Sequence, residues 1–290
     1  MSEIFSLKKR LKSIKSIQQT SKALQIITAA KIKTMQTLLK AFNEYKGELE
    51  EILAMVSPVS FANFYELPKD PKNISIVIIV CSNRGFCGGF NNDVFRTAEK
   101  LINRLKNEGK EVKLYLVGKK GIQHYKNKGY PIIGLDLKLA DKPDAKSTLR
   151  LVSFFITQLQ RGQIADVHLV YNEFISILVQ KATATKLLPF EQEKNTKSSP
   201  LENLILEPDA QKVTQEAFLH FLSVFFLSKS VGSTVGELGA RLLVTKNAAD
   251  SSRDIISQLN LRINKIRQST ITGELSELLS SFQILKEAEA

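Results

Sequence analysis

Proline is confined to the middle of this chain. All eight prolines lie between Pro58 and Pro208, so residues 1–57 and 209–290 contain none. Proline removes a backbone donor and clashes with the preceding turn, so a long helix excludes it from its interior. Two proline-free ends around a proline-bearing centre therefore predict two long uninterrupted helices flanking a compact block. At about 1.5 Å of rise per residue, the C-terminal stretch alone would reach roughly 120 Å, far beyond an ordinary globular helix. A helix pair of that length has no core of its own over much of its run, and it calls for something else to hold it.

Apolar spacing supports both helices. Ile4, Leu7, Leu11 and Ile14 alternate by three and four residues, as on one face of a helix. The apolar residues then shift phase to Ile17, Leu24 and Ile27, and again to Ile32, Met35, Leu39 and Phe42. Such shifts read as stutters, which change supercoil winding locally without ending the helix. At the other end Val235, Leu238, Leu242, Ile256, Leu259, Ile263 and Ile266 share one heptad frame. The frame positions between them are the small residues Thr245, Ala249 and Ser252, which let a partner helix approach closely. Pro208 suits the first turn of this helix, where a missing N–H costs nothing.

At 290 residues the chain can hold one sizeable core with an appendage, or two domains. Its longest purely apolar run, Ile76 to Cys81, is too short to span a membrane. The N-terminus is a basic amphipathic stretch without the apolar centre of a secretory signal, and its heptads begin at Ile4 with no processing break, so we expect mature protein from the start. Cys81 and Cys87 are spaced for neither a CxxC pair nor a zinc site. They read as packing residues in a reducing compartment. The net charge of +12 is concentrated early: residues 1–40 carry nine Lys or Arg and the single acid Glu3. Lys8, Lys9, Arg10, Lys12 and Lys15 fall in the first four turns. A basic helix suits nucleic acid, an anionic membrane surface or an acidic protein. Phe5 is the one aromatic before Phe42, so stacking platforms for single-stranded nucleic acid are scarce there.

The centre reads as α/β. Residues 73–82 form a buried strand rich in Ile and Val. A glycine-rich turn, 83–91, follows it, and then a helix over 93–107. A second strand, 112–118, leads into a short helix, and 131–135 is a third strand. Residues 147–160 are helical, 165–176 return to strand, and 177–188 form a final strand antiparallel to its neighbour. This alternation implies a mostly parallel, Rossmann-like sheet covered on both faces. Residues 191–200 are polar and expected to be an exposed loop. The domain reading is thus 1–57, an N-terminal coiled-coil helix; 58–206, the α/β domain; and 207–290, a C-terminal coiled-coil helix.

The glycine-rich turn invites a nucleotide reading that its chemistry does not support. Gly85, Gly88 and Gly89 are not spaced as GxGxxG, and no Gly-Lys-Ser/Thr follows to hold phosphate and magnesium. Lys119-Lys120-Gly121 fails likewise. The glycines read as residues that permit a tight turn with φ > 0. Cys87 as a nucleophile would need a neighbouring base, and His124, His168 and His220 are scattered, making no metal cluster. We expect no catalytic, cofactor-binding or metal residues, and no cofactor.

Three stretches resemble one family. Residues 11–33, LKSIKSIQQTSKALQIITAAKIK, are similar to the opening helix of the γ subunit of F-type ATP synthases. Residues 82–91, SNRGFCGGFN, resemble its glycine-rich signature. Glu237, Ala240-Arg241, Lys246-Asn247-Ala248, Leu259, Asn264, Arg267-Gln268, Ile271-Thr272 and Glu274-Leu275 resemble its C-terminal helix, which Glu207-Pro208 open. The matches come in the family's order and spacing.

The resemblance implies a non-catalytic rotor. Its terminal helices would form a long antiparallel coiled coil inside a hexamer of α and β subunits. The α/β domain would lie near the ε subunit and the membrane-embedded c-ring, with nucleotide chemistry on β. The implied location is peripheral, on the cytoplasmic side of a bacterial inner membrane, with no nucleic-acid partner. By matching positions, the coupling contacts to β fall on Lys22, Arg267, Gln268, Thr272 and Glu274. Lys8, Lys9, Arg10 and Lys12 give the shaft a basic face toward acidic loops, a long-ranged but shallow attraction. Departures from the family are Leu24 for methionine, Ile263 for tyrosine, Gly273 for a longer polar residue, and the ending SSFQILKEAEA. Gly273 should loosen the helix by about 1 kcal/mol relative to alanine. The rivals from other classes are a basic coiled-coil nucleic-acid-binding protein, which the charge alone would suit, and a nucleotide-dependent enzyme, which the α/β block alone would suit.

Overall fold

The computed structural model describes residues 2–56, 68, 70–190, 207 and 209–288. The order of elements is α1 (Ser2–Val56), β1 (Ile74–Val80), α2 (Phe90–Asn107), β2 (Glu111–Val117), α3 (Lys119–Tyr125), β3 (Ile132–Asp136), α4 (Lys138–Asp141), α5 (Ala145–Gln160), β4 (Asp166–Phe174), β5 (Gln180–Leu188) and α6 (Ala210–Ala288). The terminal helices run for 55 and 79 residues. The chain divides into two compact units, Met1–Ile27 with Leu242–Ala290, and Thr28–Arg241.

The α/β unit is built on a five-stranded sheet of order β3-β2-β1-β4-β5. β1 pairs in parallel with β2 and β4, β2 pairs in parallel with β3, and β5 is antiparallel to β4. β1 is ISIVIIV, apolar on both faces, as a central strand of a doubly covered parallel sheet must be. Its residues alternate between two cores. Ile76, Ile78 and Val80 join α5, Leu49 and Leu53 of α1, and Phe218, Phe221, Leu222 and Phe226 of α6. Val77, Ile79 and Cys81 join α2 and α3 on the other face. α5 starts where the Asp144 carboxylate accepts a 2.9 Å hydrogen bond from the Ser147 N–H, a side-chain N-cap. The most apolar window of α6 has the length and composition of a membrane span, yet most of it is buried inside the protein, so it is a core helix.

In the other unit the two helices run antiparallel, with Glu3 near the start of α1 meeting Arg262 of α6 at 2.9 Å. The α6 frame is as expected: Thr245, Ala249 and Ser252 are buried together with Leu259. The α1 seam is not. No stutter occurs; along α1 the positions 4, 7, 11, 14, 18, 21, 25, 28, 32, 35, 39 and 42 are all shielded, one unbroken heptad frame, with 24, 36 and 38 half-shielded beside it. Ile17 and Ile27 are 49% and 54% exposed, whereas Ser21 and Thr28 are buried. Short polar side chains hold the frame where the apolar ones leave it. The residue types suggested a phase change that the helix does not make.

Two smaller corrections concern turns. β5 begins at Gln180, not at residue 177, because Ser176 and Val179 close a turn: Ile175 N–H donates to the Val179 carbonyl, and Val179 N–H to Ser176 Oγ. Of the three glycines in the turn after β1 only Gly88 has positive φ, at 57°; the other residue there with positive φ is Phe86, at 61°. The exposed-loop expectation for 191–200 and the placement of Pro208 lie outside the described residues, as do the last two residues of the tail.

Candidate functional site

The expected coupling residues all lie on exposed helix faces of the two-helix unit. Lys8, Lys9, Arg10, Lys12 and Lys22 are exposed on α1, and Arg267, Gln268, Thr272 and Glu274 on α6. The fold does not gather them into a pocket; it spreads them along two helices. The Thr272 hydroxyl donates to the Gln268 carbonyl at 2.9 Å, so its free lone pairs, not its proton, face outward. Beyond Ile266 the seam gives way to exposed apolar residues: Ile271 at 48%, Leu275 at 56%, Leu278 at 67% and Leu279 at 69%. Their spacing of four, three and one places them on one side of the helix.

The glycine-rich turn is a second conspicuous site, and its polar groups are mostly consumed internally. Asn91 Oδ1 accepts from the Ser82 N–H at 2.9 Å, and Asn91 Nδ2 donates to Cys87 Sγ at 3.2 Å. Asn83 bridges outward, its amide donating to the Leu137 carbonyl and its oxygen accepting from the Lys119 N–H. At the start of α2 the Phe90 N–H goes to the Cys87 carbonyl and the Asp93 N–H to the Gly89 carbonyl. The Phe90 amide, the first of the helix N-terminus and one that an anion would draw on, is thus already used. The same holds at α3, where Gly121 N–H donates to Cys81 Sγ at 3.0 Å. Burial pushes the Cys81 thiol up to about 12, which keeps it protonated and unreactive. Burial also raises the Cys87 thiol.

Two charged residues of α6 complete this site. Glu237 and Arg241 are both buried and form an ion pair of 2.5 Å one turn apart. Arg241 Nε donates to the Gly85 carbonyl at 3.1 Å, and its Nη2 reaches the Arg84 carbonyl at 3.4 Å. Burial pushes the Glu237 carboxyl up, against the opposing pull of the Arg241 guanidinium. Sequence reasoning placed both residues in a motif and gave neither a role. The signal was available: a Glu and an Arg four apart inside an otherwise apolar or small stretch of helix.

An antiparallel pair of long helices in one unit, a mostly parallel, doubly covered sheet in the other, and candidate functional residues on helix faces define a class of coiled-coil and α/β protein. Comparison with known proteins agrees. The model of the ATP synthase family matches residues 3–285. The ATP synthase gamma chain of Desulforamulus reducens is 30% identical, over 99% of this chain and 100% of its own length. That of Pelotomaculum thermopropionicum is 31% identical with the same coverage. The chain belongs to the ATP synthase gamma chain family. In fold it is similar to a chain of the Euglena gracilis mitochondrial ATP synthase (OSCP/F1/c-ring, rotational state 3), with a TM-score of 0.65 and 16% identity over 100% of this chain and 96% of the other. A chain of the Tetrahymena thermophila central stalk and c-ring gives a TM-score of 0.58 at 18% identity, covering 79% and 99%.

Proposed function

We propose that this chain is the central rotor shaft of an F-type ATP synthase, coupling ion flow through a membrane sector to ATP synthesis and hydrolysis on catalytic β subunits without catalysing either itself. The observation that carries this reading is the run of exposed apolar residues from Ile271 to Leu279, on a helix matched almost to its end by the family model. Leucines exposed in file on a long helix need an apolar sleeve, and a hexamer of α and β subunits supplies one. The rotor makes its working contacts through Lys22, Arg267, Gln268, Thr272 and Glu274, with Lys8, Lys9, Arg10 and Lys12 facing acidic loops. Their exposure suits many weak, screened contacts, and a deep well at one angle would stall rotation. The α/β unit meets the ε subunit and the c-ring, and the protein is peripheral, on the cytoplasmic side of a bacterial inner membrane. Affinity purification of the full chain from its native membranes tests this: α, β, ε and c subunits should co-purify in fixed stoichiometry. Recovery of the chain alone, or with nucleic acid that leaves as salt rises, overturns it.

A further inference from the structure

We propose that Glu237 and Arg241 form a torsional lock, a directional clamp that fixes the rotational setting of α6 in the α/β unit and so passes torque into the shaft; this rests on the rotor reading. Arg241 is the last residue of the α/β unit, and from Leu242 the helix belongs to the other one. A lock at this point acts where the helix leaves its anchor.

Two opposite sides of α6 are held here. On one side Arg241 grips the Gly85 and Arg84 carbonyls while Glu237 braces the guanidinium. At about 100° per residue, Gly236 and Gly239 project away from that side. There the helix presses on the turn between β4 and β5, so closely that a Cβ on Gly239 would lie 2.6 Å from the Ile177 carbonyl oxygen and one on Gly236 2.8 Å from Gln180 Cγ. Apolar packing alone resists separation but gives little resistance to sliding about the helix axis. Hydrogen bonds from a planar fork have direction, so they resist rotation. A buried ion pair is also weak as a source of stability and better suited to fixing one arrangement.

The gripped turn is itself over-determined. Ser82 Oγ donates to the same Arg84 carbonyl at 2.7 Å, Asn83 ties the turn to the Leu137 carbonyl at 2.7 Å, and Phe86 is kept at a φ of 61° while its ring stands 70% exposed. A non-glycine residue persists in that region only when its surroundings impose it. The turn is therefore a stiff abutment for the helix to push against.

The test uses Arg241→Lys, which keeps the charge and loses the fork, and Glu237→Gln, which keeps the shape and loses the brace. In the purified chain, hydrogen exchange of the 84–91 amides should rise about tenfold in both variants; helix content and Tm stay near wild type in Arg241→Lys, whereas Glu237→Gln leaves a buried guanidinium without its carboxylate and lowers Tm. In the assembled complex, ATP hydrolysis should persist while ion pumping per ATP hydrolysed falls at least twofold. If one variant fails to fold, the other decides. Normal pumping per ATP in a variant whose turn exchanges faster removes the lock and leaves the rotor reading intact. Parallel loss of Tm, assembly and hydrolysis shows a merely structural pair and overturns the lock. Failure of the wild-type chain to enter any such complex overturns the rotor reading and the lock with it.

Discussion

Asp166 begins β4 almost sealed from water, with the Lys110 ammonium 2.6 Å from Oδ2 and His168 Nε2 3.1 Å from Oδ1. The His168 contact is close but lacks hydrogen-bond geometry. Burial opposes ionisation of this carboxyl, yet His168, Lys110 and Ser75 together hold it well below the usual carboxylate range. A depressed carboxyl contributes stability above its unfolded pKa and loses it as pH falls toward the folded one. The contribution of Asp166 is therefore complete above about pH 4 and fades below it. Asp166→Asn should lower stability at pH 7 by about 1.5–3 kcal/mol, the worth of a hydrogen bond to a charged group. In urea titrations repeated at falling pH, the gap to wild type should close below about pH 4. Gly118 carries a different constraint, with φ of 106° and a Cβ position 2.1 Å from the Cys81 carbonyl oxygen. Gly118→Ala has to displace backbone at the ends of β1 and β2, and should cost at least about 2 kcal/mol in the same titration.

Between elements, what the sequence reveals depends on whether residue type alone decides placement. The strands were legible because Ile and Val on both faces of β1 can only be doubly covered, and the α6 seam was legible because Val235 to Ile266 keep one frame. The α1 seam misled because Ile17 and Ile27 are apolar and exposed, while Ser21 and Thr28 are polar and buried. Sequence gives hydrophobicity; only the unbroken backbone tells which face is shielded. The site divides the same way. The exposed residues proposed to couple came from motif resemblance, whereas the Glu237–Arg241 contact with the Gly85 carbonyl depends on a fold that joins residues 156 apart. Small seam residues give a test at this scale. Ser252 is buried in the α6 frame, so Ser252→Leu overpacks the seam and should cost about 1–3 kcal/mol. Ser257→Leu, on the exposed face, should stay within about 0.5 kcal/mol of wild type. Thermal melts of the full chain followed by circular dichroism compare the two.

Across the whole molecule, the shaft must hold its own seam firmly and its surroundings lightly. Ile266 is partly shielded on the seam, and Arg267 and Gln268 are exposed one and two positions later. At about 100° per residue both turn away from the partner helix toward whatever surrounds it. A guanidinium and an amide there can donate to carboxylates and carbonyls of a sleeve, the first in bidentate fashion. Replacing both with alanine leaves every seam residue in place and favours helix, so the coiled coil and its assembly should survive. On the proposed coupling role, what goes is contact made in particular catalytic states. A loss of about 1.4 kcal/mol from the rate-limiting state slows turnover tenfold. We expect the Arg267→Ala, Gln268→Ala double variant to assemble with wild-type subunit recovery while ATP synthesis and hydrolysis fall together by roughly that factor. The measurement is both rates on reconstituted complex over a range of ion-motive force. Wild-type synthesis at every driving force, from a normally assembled complex, would show that these two side chains carry no coupling. A fall in hydrolysis alone would move the contact from coupling to nucleotide turnover.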